Sequence, residues 1–336
     1  MGRKTPIFLI FISIILLFCA CSSGESEKST DEFFAMDTVM DLTAYGKNGA
    51  DGIAAAEKEI NRIDALLSVG NTDSEIAQLD AAQTTTVSGE TAALINRALA
   101  VSKMTDGAYD CTVYPLVSAW GFFSGDYRVP DASEIEELLA DVGWEKVSVD
   151  GTTVTMPSGT QIDLGGIGKG YASAQAKKAL QDAGVTSAIV SLGGNISALG
   201  QKPDGSNWTV AIQDPADTST YFGLLEVADK CVITSGGYQR YFEQDGKTYW
   251  HILDPATGYP ADSGIISATV VSTDDVLSDG LSTALFVMGL DKAEALWREN
   301  TDAFDMILMT SDRNVYITSG ISDDFSTDLS FEVVKP

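Results

Sequence analysis

Histidine is almost absent from this chain of 336 residues; His251 is the only one. Cysteine is scarce, with four, and positive charge is short, with 21 Lys and Arg against 48 Asp and Glu. Each shortage excludes something. One imidazole and no Cys-x-x-Cys pair leave no ligand set for zinc. Four cysteines are too few for a disulfide framework, and Cys19 and Cys21 fall in the N-terminal leader, so Cys111 and Cys231 remain as one bridge or as two buried thiols. A formal charge of −27 repels nucleic-acid phosphates and anionic headgroups. Nucleic acid is therefore not a partner, membrane attachment has to come from lipid rather than basic patches, and an anionic ligand needs a metal or a local cation. There is also no low-complexity linker or internal repeat in the body of the chain.

Arg3 and Lys4 open a leader whose apolar run, Ile7 to Phe18, is too short for a comfortable membrane span and ends at Ala20 before Cys21. Residues 1–20 read as a cleaved secretion signal. Its removal takes away Arg3 and Lys4 and no acid, which moves the charge to −29. A cysteine after a small residue, followed by the polar tract SSGESEKSTD, resembles a bacterial lipoprotein signal, although Phe18 stands where leucine is commoner. The expectation is a diacylglyceryl-modified Cys21, a flexible tether over 21–32, and a protein anchored by lipid to the outside of the cell membrane. Residues 33–336 are enough for one large domain or two intimately joined subdomains.

Ile53, Ile60, Ile63 and Leu67 recur at helical spacing, and a second helix is predicted from Gly89 to Met104 with Leu94, Ala98 and Val101 inward. Ser133 with Glu136 three residues on predicts a capping-box start for a third. Two hairpins are predicted, Lys146–Val149 with Thr152–Met156 around Asp150-Gly151, and Tyr238–Phe242 with Thr248–Leu253 around Asp245-Gly246. Helices interspersed with hairpins predict an α+β fold with antiparallel sheet and flanking helices.

Several segments carry chemistry. His251 sits in YWHILDPATGYP, beside a carboxylate and a proline-stiffened glycine turn. A lone histidine serves packing as well as catalysis, and the other segments bear on the choice. QIDLGGIGKGYASAQAKKAL runs from a strand through glycines into a helix, with Asp163 before the turn and Lys169 at the helix start. It is neither a dinucleotide fingerprint nor a Walker loop, and it reads equally as an ordinary strand-to-helix turn or as a place where a ligand approaches the backbone. SLGGNISALG reads as a tight turn between buried strands. In DVLSDGLSTALFVMG, Asp279 and Thr283 are four apart on one helix face, hard oxygens suited to Mg²⁺ or, alternatively, an acid near a helix start.

Taken in order, TDGAYDCTVYPLVSAWGF, DLGGIGKGYA, SLGGNI, ITSGGYQRYF, HILDPATGYP and DGLSTALFVMG resemble the blocks of the ApbE family of FAD:protein FMN transferases, over about residues 33 to 320. The resemblance implies an enzyme that binds FAD with Mg²⁺ and attaches FMN through a phosphoester to a Thr or Ser hydroxyl of an acceptor flavoprotein, such as an extracytoplasmic protein or a redox-complex subunit, releasing AMP. It implies Met36, Ala108, Tyr109, Asp110, Asp163, Lys169 and Leu253 at the FAD site. Asp279, Thr283 and the Gly166 carbonyl are implied for the metal, and His251 as general base. Asp254 is read as a turn-capping or orienting residue.

One position departs from the family pattern. Gly70 in LLSVGNTDSEI stands where many members place a larger, often aromatic, side chain near the cofactor. The expectation is a site opened to water, with FAD hydrolysis to FMN and AMP as the alternative activity. A flavin- or solute-binding lipoprotein without chemistry is the alternative of another class.

Overall fold

A computed structural model describes residues 27–336, so the leader and Cys21 lie outside the described residues. Nine strands form one sheet: β1 Lys28–Ala35, β2 Thr38–Tyr45, β3 Ala188–Leu192, β4 Asn195–Leu199, β5 Cys231–Gly236, β6 Ile265–Ser272, β7 Asp305–Thr310, β8 Val315–Thr318 and β9 Phe331–Val334. Their order across the sheet is their order along the chain. Every neighbouring pair is antiparallel except β8 with β9. Strands from both ends of the described chain thus share one sheet. Long excursions between β2 and β3, and between β6 and β7, supply most of the helices.

β1 corrects one boundary, because the stretch expected as tether to residue 32 is ladder from Lys28, which pairs with Tyr45. Backbone pairing at a sheet edge needs few apolar side chains, so the polar run KSTDE gave no strand signal.

The helices are α1 Gly49–Leu67, α2 Glu75–Ala82, α3 Gly89–Met104, α4 Tyr114–Ala119, α5 Ala132–Leu139, α6 Gly165–Asp182, α7 Asp275–Met288 and α8 Leu290–Arg298. Ile53, Ile60 and Ile63 of α1 and Ala172, Ala176 and Leu180 of α6 share a core with Met40 and Leu42 of β2 and Val190 of β3. On the opposite face a small sheet, Trp208–Asp214, Asp217–Val227 and Phe325–Ser326, packs Trp208, Val210 and Leu225 against Ile307 and Met309 of β7. Met306 and Leu308 of the same strand face the helical side with Leu281 and Leu285 of α7. Burial on both faces explains why β7 reads as an unbroken apolar run rather than an alternating one. Among the described residues no helix is long and apolar enough to cross a membrane.

The second predicted helix matches α3. The third begins earlier than its capping box: the N-cap of α5 is Asp131, without a side-chain cap bond, and Ser133 lies inside the helix. The phase follows Ile135, which is buried beside Leu116 and Trp120, and an Arg128–Glu134 ion pair. Both hairpins form but are shorter. Ser148–Asp150 and Thr153–Thr155 gain Thr84–Thr86 as a third strand, and Tyr241–Gln244 pairs with Lys247–Trp250. Past Trp250 the chain leaves the ladder for a turn in which Asp254 caps the Ala256 N–H at 2.9 Å. Cys111 and Cys231 are free and buried. Burial and the nearby Asp275 carboxylate push the Cys231 thiol up to about 11, which leaves it inert at neutral pH.

Asp80 of α2 accepts the Ile162 N–H at 2.8 Å and so ties α2 to the segment entering α6. Burial, partly offset by that bond, raises its pKa from 3.8 to about 7. The folded form therefore holds its proton more tightly than the unfolded one. The stability this supplies is complete below pH 3.8 and is lost as the pH rises through about 7. Asp80→Asn, which carries no charge to desolvate, is expected to gain a few kcal/mol at pH 8, taking about 1.4 kcal/mol per pKa unit, and to converge on wild type only below pH 3.8. Denaturant unfolding at the two pH values checks this, and an equal effect at both would contradict it.

Candidate active site

The β1–β2 turn forms the first wall. Met36 and Asp37 both sit at positive φ, 49° and 59°, a conformation that non-glycine residues seldom adopt. The strain is held by Asp64, near the end of α1, whose Oδ2 accepts the Met36 N–H at 3.1 Å. The loop after α3 forms the second wall. Asp110 Oδ1 accepts from the Thr112 N–H at 2.8 Å and the Thr112 hydroxyl at 2.7 Å, and its Oδ2 accepts from the Trp144 N–H at 2.9 Å. These bonds make Asp110 a brace for the loop, and they oppose the burial that raises its pKa. Tyr109 is buried, and its phenol oxygen has no protein partner. Burial, reinforced by the surrounding acids, holds that phenol protonated.

The glycines of α6 allow close contact with both neighbours. A Cβ on Gly166 would come within 3.0 Å of the Tyr109 ring, and one on Gly170 within 2.2 Å of the Asp275 carbonyl. The second approach brings α6 against α7, where the buried Asp279 accepts the Gly170 N–H through Oδ2 at 2.7 Å and the Asn195 side-chain amide through Oδ1 at 2.9 Å. Helix geometry directs the Gly170 N–H at the Gly166 carbonyl, so the Asp279 bond competes for that donor. Lys169 Nζ lies 4.0 Å from Asp279 Oδ1. One turn along α7, Thr283 Oγ1 is 3.4 Å from Ser235 Oγ and 4.0 Å from the Cβ position of Gly166.

These are hard oxygen donors around one buried carboxylate. Among the described residues there is no group of three or more His, Cys, Asp or Glu side chains able to cage a metal. The set fits an ion that keeps water and takes further ligands from phosphate, as Mg²⁺ does, and it does not fit zinc. Asp163, at the entrance to α6, accepts the Gly165 N–H at 2.7 Å. Its enclosure raises the carboxyl pKa, against the pull of that bond and of the Lys169 and Arg240 charges.

His251 leaves the hairpin with its backbone N–H 3.0 Å, and its Nδ1 3.1 Å, from the same Arg240 carbonyl. A carbonyl only accepts, so the neutral ring carries its proton on Nδ1 and leaves the Nε2 lone pair free. Enclosure is the main cause of a pKa lowered to about 4, and the Arg240 and Lys169 charges add to it. The ring is a free base at neutral pH. Asp254 has no part in this; its oxygens cap Ala256 and receive the Thr257 hydroxyl at 3.2 Å.

Of the twelve sequence-predicted site residues within the described chain, eleven line one cavity of about 310 Å³, and Gly70 does not. The predicted gap at Gly70 is filled: the Phe123 ring lies 2.9 Å from where its Cβ would be. Lipidation of Cys21 falls outside the described residues. Sequence reasoning missed Asp64, Asn195, Arg240 and Phe123, which also line the cavity. Asn195 and Arg240 stood in two of the quoted blocks. Asp64 and Phe123 had no signal, because their roles depend on residues distant in sequence.

The ApbE family profile matches residues 36–308. An FAD:protein FMN transferase of Klebsiella pneumoniae (strain 342) is 37% identical over 267 residues, 77% of this chain and 82% of that protein. Among solved structures, the ApbE protein of Thermotoga maritima MSB8 superposes with a TM-score of 0.82 at 31% identity, covering 88% of this chain and 98% of its own. The flavin transferase ApbE of Vibrio cholerae gives 0.80 at 27% identity, covering 89% and 99%.

As the only histidine, His251 gives a single imidazole resonance in NMR. It is expected to titrate near pH 4, with Arg240→Ala moving the midpoint upward by removing a repelling charge. A wild-type midpoint near the ordinary 6.5 would show that the ring is solvated and the electrostatic account wrong.

Proposed function

This chain belongs to the ApbE family, and we propose on that premise that it is an enzyme transferring FMN from FAD to a Thr or Ser hydroxyl of an acceptor flavoprotein, with release of AMP. The observation that carries the reading is the meeting, in one cavity, of an imidazole kept neutral and an oxygen-lined pocket around Asp279. A protein that only bound flavin would need neither a free base nor such a pocket. Attachment to the outer face of the membrane through an acylated Cys21 is part of the proposal and rests on the leader sequence.

The reaction requires an in-line attack at the phosphorus of the FMN half. His251 Nε2 takes the proton of the incoming hydroxyl as its oxygen bonds to phosphorus, and the pyrophosphate P–O bond breaks so that AMP departs with the electron pair. AMP is a stable phosphate monoester, so no dedicated acid is required. The Arg240 carbonyl holds the ring through Nδ1 and stabilises the imidazolium as it forms. Lys169 and Arg240 bring positive charge to a cavity in an otherwise acidic protein. Asp279, Thr283 and the Gly166 carbonyl would hold Mg²⁺, which when bound neutralises phosphate charge. Met36, Ala108, Leu253 and the Tyr109 ring give the apolar walls.

His251→Ala is expected to lower FMN transfer by about 10²–10⁴-fold while FAD titration stays near wild type, the range for losing a general base. Asp279→Asn, which keeps the size of the buried side chain but turns one of its two accepting oxygens into an N–H donor, is expected to abolish Mg²⁺-dependent turnover as chelation does, with Thr283→Val milder because a hydroxyl is a neutral ligand. Mass spectrometry of an acceptor incubated with enzyme, FAD and Mg²⁺ reads both. Full transfer by His251→Ala would remove histidine from the mechanism. Turnover that survived both chelation and Asp279→Asn would remove the metal site.

A further inference from the structure

Phe123 is an aromatic side chain that remains 43% exposed while lining the cavity. Two contacts hold it there. Its ring meets Tyr114 of α4 edge-on, with centroids 5.5 Å apart, and its tip occupies the space that a side chain at position 70 would take, 2.9 Å from the Cβ site. Gly70 is not at a positive φ, so its backbone would accept another residue. What excludes a side chain at position 70 is the Phe123 ring alone. Because the contact is with the exposed tip of a side chain, a large residue at position 70 would push Phe123 aside rather than unfold the protein.

We infer that Phe123 and Gly70 form a reciprocal pair, in which Phe123 supplies the aromatic wall against the flavin ring and excludes water from the reacting phosphorus, and Gly70 makes room for it. The inference rests on the reading of the cavity as the FAD site. A flat, apolar ring system needs a flat, apolar face, and the floor formed by Asp163, Lys169 and Asp279 is charged. Water and the acceptor hydroxyl compete for one phosphorus, so a wall that excludes water favours transfer over hydrolysis. The glycine predicted to open the site is thus the condition for the residue that closes it.

The test uses the full chain with FAD and Mg²⁺, first without and then with an acceptor. Phe123→Ala is expected to weaken FAD binding about 5- to 100-fold, as for the loss of a stacked ring, and to raise acceptor-independent AMP release relative to transfer. Phe123→Tyr is expected to keep the affinity and shorten the emission lifetime of bound flavin, because a phenol in contact donates an electron to the excited ring and a benzene ring does not. In the Gly70→Tyr background, Phe123→Ala is expected to cost less than threefold, because the introduced ring takes over the wall. Unchanged affinity in Phe123→Ala, an unchanged lifetime in Phe123→Tyr, or equal losses in both backgrounds would each overturn the pairing. These binding and lifetime measurements do not depend on turnover, so their failure is distinct from failure of the functional reading, which would show as wild type binding FAD without transferring FMN.

Discussion

The carboxylate of Asp279 is the point on which the site depends. It lies on α7, yet its two oxygens are engaged by the first turn and a half of α6 and by the first residue of β4. A buried charge costs several kcal/mol unless donors meet it, so three elements far apart in sequence are drawn to one spot. The contact is possible because Gly170 has no side chain, which lets α6 ride against the Asp275 carbonyl. From that contact follow the placement of Lys169 and the position of Thr283. The Asp279 end of the cavity is therefore fixed by packing between helices rather than by a loop that has to close.

Charge presents a second constraint. A protein of formal charge −27 must admit a dinucleotide that is itself an anion. Lys169 and Arg240 answer this locally, within a cleft also lined by Asp163 and Asp279. The same two cations help depress the His251 pKa. On the proposed reading, attraction of the substrate and readiness of the base have a common origin: once an anion occupies the cleft, the repulsion acting on the imidazolium is relieved when a proton has to be accepted.

Much of this was legible in the sequence, for identifiable reasons. The helical periods of α1 and α3 and the turns at Asp150-Gly151 and Asp245-Gly246 are local signals, and they appear where local chemistry sets them. Motif order carried the residues that line the cavity, because each block keeps its polar group beside its own turn or helix start. The rest depended on distance. That β2 pairs with β3 across more than 140 residues is a tertiary fact with no local trace. Polar β1 is ordered by backbone pairing and not by its side chains. Met36 is held by a carboxylate 28 residues on, and the residue filling the space beside Gly70 is Phe123. The capping box at Ser133 shows the converse, a correct local motif overruled by the burial of Ile135.

The early start of β1 sets a height. With Cys21 acylated as proposed, the leash from the lipid to the first paired residue, Lys28, spans at most roughly 25 Å fully extended. Lys28 is at the far end of β1 from the Met36 turn, and that strand adds about 25 Å at some 3.3 Å per residue. The Met36 wall of the cavity then stands no more than about 50 Å above the bilayer, and an upright strand would hold it away from the lipid. Such an enzyme works within a shallow layer over the membrane, and the acceptor hydroxyls it can reach are those that rise into that layer.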